Sequence, residues 1–271
     1  MRDPESSLLA ALRAHFGHLV EPDRCSWPIA AFLMPDFGAE NPIQMRFGAS
    51  EGTARELFLA ERDLVRTLHH RNIVAVLHEG DFDGHAYYAV RRPNPLLDDR
   101  LRSDQHLPLV HVLAILRDMA AALAHCHENG VVHGAIDPLR IADRPEGAVL
   151  DGFYIAAVIT VLGTPYQEGY AIGTPIYCSP ELLSGHPIDE RSDIYSLGMI
   201  AYVALAGAAP WANEADWGCG ARLKRYPPTP KLKSAEEKRL YGVIRQMLAP
   251  RPAARFQSSV ALLRALEGLG A

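Results

Sequence analysis

The chain is predicted to fold as an α+β protein of two lobes, a small β-rich one with one main helix and a larger helical one. Three observations carry this. Short apolar runs across residues 29–90 read as strands around one amphipathic helix, and the pattern after residue 93 turns helical. Between them, Arg91-Arg92-Pro93-Asn94-Pro95 breaks both periodicities, because its prolines fix φ and remove backbone donors. The lobes are therefore expected to be 1–92, with an N-terminal extension helix, and 93–271.

Taken in order, Ser6 or Ser7 can cap a helix whose apolar residues Leu8, Leu9, Leu12, Phe16 and Leu19 recur at helical spacing. Ile29-Ala30-Ala31-Phe32-Leu33 and Ile43-Gln44-Met45-Arg46-Phe47 read as strands, and Glu21 to Pro28, with two prolines, reads as a loop. Thr53 to His70 places Leu57, Leu64, Val65 and Leu68 on one helical face. Asn72 to His78 and His85 to Val90 read as strands separated by the turn Asp81-Phe82-Asp83-Gly84. Helices follow at Leu109 to Asn129, Glu181 to Ser184, Ser192 to Ala206, Ala235 to Leu248 and Ser258 to Leu269.

Composition narrows the classes. The formal charge is -5 without a Lys/Arg block, so neither nucleic acid nor an anionic membrane is an expected partner. Cys25, Cys126, Cys178 and Cys219 form no CxxC pair and fit reduced thiols in a cytoplasmic protein. No apolar run of signal-peptide type follows Met1, and the longest apolar stretch, Ile194 to Trp211, reads as a buried helix and not a membrane span. His125, Cys126, His127 and His133 have poor metal-ligand spacing, so no metal site is expected.

Three ordered motifs remain: His133-Gly134-Ala135-Ile136-Asp137-Pro138-Leu139-Arg140-Ile141, then Gly173-Thr174-Pro175-Ile176-Tyr177-Cys178-Ser179-Pro180-Glu181, then Arg191-Ser192-Asp193-Ile194-Tyr195-Ser196-Leu197-Gly198. Their order and spacing resemble those of the eukaryotic-like (Hanks-type) Ser/Thr protein kinases, including the bacterial branch, from roughly residue 43 to 255. The resemblance implies a protein-kinase-like bilobal fold and assigns positions. Arg46 stands where the family has the lysine of V-A-I-K, and Glu61 where it has the helix glutamate that pairs with it. His133 is the structural histidine. Ala135 replaces the aspartate that accepts the substrate proton, Asp137 the phosphate-steadying lysine, and Arg140 the asparagine that binds a second Mg²⁺.

The D-F-G motif has two alignments. Gly152-Phe153-Tyr154 places an aromatic as the family does and leaves Gly152 for the metal-binding aspartate, whereas Asp151-Gly152-Phe153 retains an acid. The resemblance further implies that Glu181 pairs with Arg255, that Asp193 accepts from the catalytic-loop backbone, and that Phe153 packs structurally. Thr160, Thr164, Tyr166 and Thr174 lie in the segment that active relatives phosphorylate.

With Ala135, Asp137, Arg140 and Gly152 at the reacting positions, the expectation is a catalytically inactive protein, a pseudokinase. It would scaffold or regulate a protein partner, an active kinase or its substrate, and Asp137 and Arg140 would neutralise one another. No ATP or Mg²⁺ is then expected, and Arg46, Glu61 and Asp151 are vestiges of a nucleotide site. The alternatives are an atypical ATP-dependent phosphoryl or nucleotidyl transferase, and a nucleotide-responsive switch without catalysis.

Overall fold

The computed structural model describes residues 10–12, 14, 21–23, 30–34, 43–91, 93–104, 106–164, 174–210 and 225–269. The chain forms two compact units, residues 1–69 with 74–94, and residues 70–73 with 95–271.

The first unit is built on a five-stranded antiparallel sheet in the order β1-β2-β3-β5-β4. Its strands are β1 (Glu21–Asp23), β2 (Ala30–Met34), β3 (Ile43–Phe47), β4 (Val76–Phe82) and β5 (His85–Arg91), with helix α1 (Gly52–Thr67) between β3 and β4. The segment read as a loop from Glu21 therefore begins as an edge strand, Glu21–Asp23, paired with β2. An edge strand tolerates Pro22, because only one side of it enters the ladder; residues 24–29 lie outside the described ones. The turn expected over four residues is shorter. β4 runs on to Phe82, and Asp83 and Gly84 alone, at φ 52° and 79°, close the hairpin with the left-handed pair that a two-residue turn requires.

Amphipathic spacing puts Leu57, Phe58, Glu61 and Val65 on the buried face of α1, where the Phe58 ring packs tilted against that of Tyr88 of β5, centroids 5.3 Å apart. Of the expected N-terminal helix, residues 10–12 and 14 are described and helical. Leu12 is buried in a cluster with Met45, Phe47 and Ala89, so it packs on the sheet.

The second unit is helical: α2 (Leu97–Ser103), α3 (Leu109–Glu128), α4 (Tyr154–Leu162), α5 (Pro180–Leu183), α6 (Glu190–Ala206), α7 (Ala235–Met247) and α8 (Ser259–Glu267), with a hairpin β6 (Ile141–Arg144) and β7 (Gly147–Leu150). α3 is long and apolar enough to cross a bilayer by length and composition, but here it is the central core helix. Its residues Val112, Leu116, Met119, Ala120 and Leu123 are buried, and it packs against α6, α8 and β7. Ser258 and Ser234 cap α8 and α7 by accepting amides three residues on, and Glu237 completes a capping box at α7.

α6 is apolar nearly all round because it is enclosed by α3 and α7. Where it meets α7, Gly198 permits close approach: a Cβ there would stand 2.7 Å from the Met247 Cβ. Gly198→Ala is therefore expected to destabilise the protein by about 1–3 kcal/mol, read as a lower denaturant midpoint at unchanged slope.

Candidate functional site

The loop 131–140 is positioned by α6. Asp193, one turn into that helix and buried, accepts the Gly134 amide through Oδ1 at 2.8 Å and the His133 amide through Oδ2 at 2.9 Å. The same Oδ2 meets His127 Nε2 at 2.9 Å, and His127 Nδ1 meets the Ser259 hydroxyl at 3.0 Å, tying the ends of α3 and α8 to the loop. Gly134 has φ 75°, and a Cβ on it would lie 2.8 Å from Ile155 Cγ2, so both conformation and packing against α4 call for glycine.

His133 is fully buried. Its Nε2 contacts the Asp151 carbonyl at 3.1 Å and its Nδ1 faces the Ala135 amide at 3.3 Å, which fits one neutral tautomer with Nε2–H donating and Nδ1 accepting. Burial holds its pKa below the ordinary histidine value, against the pull of Asp193 and the Asp151 carbonyl. Phe153, also buried, packs edge-on against the imidazole at 4.8 Å.

Ala135 presents a methyl group, and the carboxylate of this loop is Asp137, two residues on. Asp137 caps the 3₁₀ turn Pro138–Arg140 by accepting the Leu139 amide at 2.9 Å, and its other oxygen accepts the Thr174 hydroxyl at 3.2 Å. Burial raises its pKa; Arg140 and the Thr174 hydroxyl oppose that rise without cancelling it. Tyr177 is pushed up to about 12, first by burial and then by the charges of Asp98 and Asp137, so it stays a neutral phenol.

Asp137 and Arg140, expected to neutralise one another, make no direct hydrogen bond or ion pair, although the Arg140 charge acts on the Asp137 carboxyl. Asp137 takes its hydrogen bonds from Leu139 and Thr174, while the Arg140 side chain lies over Gly152. Gly152 has φ 81°, and a Cβ on it would stand 2.5 Å from Arg140 Cδ and 3.0 Å from Nη1. Asp151 is buried, and its Oδ1 accepts the Gly152 amide at 2.7 Å.

In the first unit, Arg46 of β3 is buried. Its Nε donates to Gln44 Oε1 at 2.7 Å, its Nη1 donates to the Tyr88 hydroxyl at 3.2 Å, and its guanidinium lies over the Tyr88 ring at 5.6 Å. Glu61 is buried on α1 of the same unit. Among the described residues no three His, Cys, Asp or Glu side chains converge as a metal cluster. His125 stacks on His70 at 5.4 Å, and Cys126 is buried with its thiol pushed up to about 12 by desolvation.

Behind the loop, Arg255 forms a bidentate pair with Glu181, Nη1 to Oε1 at 2.6 Å and Nη2 to Oε2 at 2.8 Å. It also donates to the carbonyls of Ala249, Arg191 and Pro250. Ser192 donates to Glu181 at 2.6 Å. A loop hung from an apolar helix by one aspartate, and braced by a buried bidentate pair, has the arrangement that the three sequence motifs imply.

The protein kinase domain model matches residues 46–264. The chain belongs to the protein kinase domain family. It is 31% identical over 244 residues to the serine/threonine-protein kinase PknJ of Mycobacterium tuberculosis, covering 82% of this chain and 40% of that protein. It is 30% identical over 210 residues to PknB of Mycobacterium leprae, covering 74% and 34%, and 31% identical over 225 residues to PksC of Streptomyces coelicolor, covering 78% and 40%. The chain thus spans about two fifths or less of the length of these curated relatives.

These matches correct three expectations drawn from the catalytic loop. Kinship with several proteins named as serine/threonine-protein kinases points to an enzyme and overturns the inactive-scaffold reading. It overturns the expectation of no enzyme in the same way, and that of no ATP or Mg²⁺, because kinases of this family normally use both. Residue 135 presents a methyl group, and the same loop still carries one carboxylate, Asp137.

Reasoning from sequence also missed two partners. Thr174, which lies in the segment that active relatives phosphorylate, donates its hydroxyl to Asp137. Thr160, weighed for phosphorylation, lies on α4 with its hydroxyl donating to the Ala156 carbonyl, and Tyr166 lies outside the described residues.

Proposed function

We propose that the chain is an ATP-dependent phosphotransferase domain acting on protein hydroxyl groups, with Asp137 as the carboxylate that accepts the hydroxyl proton. The observation that supports it is the environment of Asp137: a buried carboxylate with a raised pKa, fixed by the Leu139 amide and the Thr174 hydroxyl. A carboxylate made more basic by desolvation is a better proton acceptor near neutral pH, and fixed hydrogen bonds keep it aimed. Neutral His133 and Asp193 hold the loop that carries it.

The donor set is compatible with one Mg²⁺. That ion needs only one or two protein carboxylates and completes its octahedron with water and substrate phosphate, and Asp151 is a buried hard-oxygen donor beside the loop. Asp151 would hold the ion, which when bound neutralises charge on the phosphates. Residue 140 offers no ligand to a second ion, since it presents a guanidinium.

The test is transfer of phosphate from ATP with Mg²⁺ to serine- and threonine-containing protein, followed by mass spectrometry. Phosphoserine or phosphothreonine in the wild type, reduced in Asp137→Asn, is expected. Equal transfer by the two proteins would remove Asp137 from the role.

A further inference from the structure

We propose that Arg140 and Gly152 form a matched site for a phosphate oxyanion, in which the guanidinium supplies directly the positive charge that a second metal ion would bring. This deepens the phosphotransferase reading and rests on it.

Arg140 carries a permanent charge and is half-buried, yet among the described residues its guanidinium makes no hydrogen bond or ion pair. A partly desolvated cation with no carboxylate in direct contact is costly, and a ligand anion relieves the cost. Its charge is felt at both Asp137 and His133, so it stands close to the proposed proton acceptor. The planar five-donor fork of arginine matches phosphate oxygens in a way that a single ammonium does not.

Gly152 explains how the arginine reaches its place. A Cβ there would lie 2.5 Å from Arg140 Cδ, 3.0 Å from Nη1 and 3.2 Å from Nε, and φ is 81°. Any side chain at position 152, an aspartate included, would displace the guanidinium. Glycine at 152 and arginine at 140 are therefore one coupled feature: the space an acid would occupy is given to a cation. The ligand class is a phosphate tail, either that of a nucleoside triphosphate or a free inorganic polyphosphate.

The experiment is calorimetric titration in EDTA, with ATP in one arm and inorganic tripolyphosphate in the other. Wild type is expected to bind, and Arg140→Gln to bind roughly tenfold or more weakly, the scale of a lost charge-assisted hydrogen bond. Gly152→Ala should weaken binding similarly by displacing the arginine. Arg140→Lys, which keeps charge but loses the fork, should fall between and serves if Arg140→Gln melts early. ATP binding alone assigns the anion to a nucleotide tail, and binding of both ligands makes it a general polyphosphate site. Undiminished binding by Arg140→Gln, or no metal-free binding by wild type, overturns the proposal. Because no turnover is measured, this failure is distinct from failure of the Asp137 assignment: wild type that transfers phosphate but shows no Arg140-dependent anion binding would sink only the second.

Discussion

Asp137→Asn is expected to lower the rate of phosphoryl transfer by about 10²- to 10⁴-fold, the range typical for loss of a general base, while leaving the protein folded. Asparagine is isosteric and can still accept the Leu139 amide as a cap, so the 3₁₀ turn Pro138–Arg140 should persist. The stability readout separates chemistry from architecture. A carboxylate whose folded pKa lies above its unfolded value binds protons more tightly in the folded state, so ionised Asp137 opposes folding at neutral pH. Removing that charge should leave the melting temperature at pH 7 unchanged or higher. A variant that loses activity and also melts early would show Asp137 to be chiefly a structural cap.

The largest loss of stability is expected at Arg255. Its guanidinium is wholly buried, paired with both oxygens of Glu181 and bonded to three backbone carbonyls, and it lies 4.8 Å from the centre of the Tyr195 ring. Arg255→Ala leaves the Glu181 carboxylate buried without its cation, a change that costs about 3–5 kcal/mol. Replacing both partners by apolar residues should cost less, since most of the penalty belongs to the orphaned charge.

The pair also sets an acid limit. Burial pushes the Glu181 pKa up, but the hydrogen bonds and charge of Arg255, with the Ser192 hydroxyl, outweigh it and hold the carboxyl below its ordinary value. A depressed carboxylate contributes stability that is fully present above its unfolded pKa and lost as pH falls through the folded one. Wild type should therefore lose stability on acidification below the ordinary glutamate range, about pH 4.3, and Arg255→Ala should lose far less of its remainder there. Denaturant titrations across that range check this.

Much of the fold could be read from sequence because its signals are local. The prolines at 93 and 95, the short apolar and aromatic runs of β3 and β5, and the helical stripe of α1 need no long-range information. Elements that were missed carry conflicting local signals. α4 is rich in β-branched residues, Ile155, Val158, Ile159, Thr160 and Val161, which favour strand, and it becomes helical where Ala156, Ala157 and Val158 bury and Gly163 at φ 70° closes its last turn. The hairpin of β6 and β7 has strands of only four residues each, too short for periodicity to declare itself.

At the candidate site, residue identities were legible and partnerships were not. Thr174 and Asp137 are 37 positions apart, and nothing near either one announces the bond. Arg140 and Gly152 looked like two separate losses, whereas in space the absence of a side chain at one makes room for the other. The expectation of an inactive protein followed from the residue types at 135, 137, 140 and 152 taken singly, and residue types alone do not show that Asp137 is buried and held by Leu139 and Thr174.

The most direct test of the account is the pH dependence of kcat for phosphoryl transfer in wild type and Asp137→Asn. The proton acceptor must be ionised, so the wild-type rate should fall as pH drops through an apparent pKa above the ordinary aspartate range, and the residual rate of Asp137→Asn should show no such limb. A variant that keeps the wild-type limb, or a wild-type rate that stays level through that range, would contradict the assignment of Asp137.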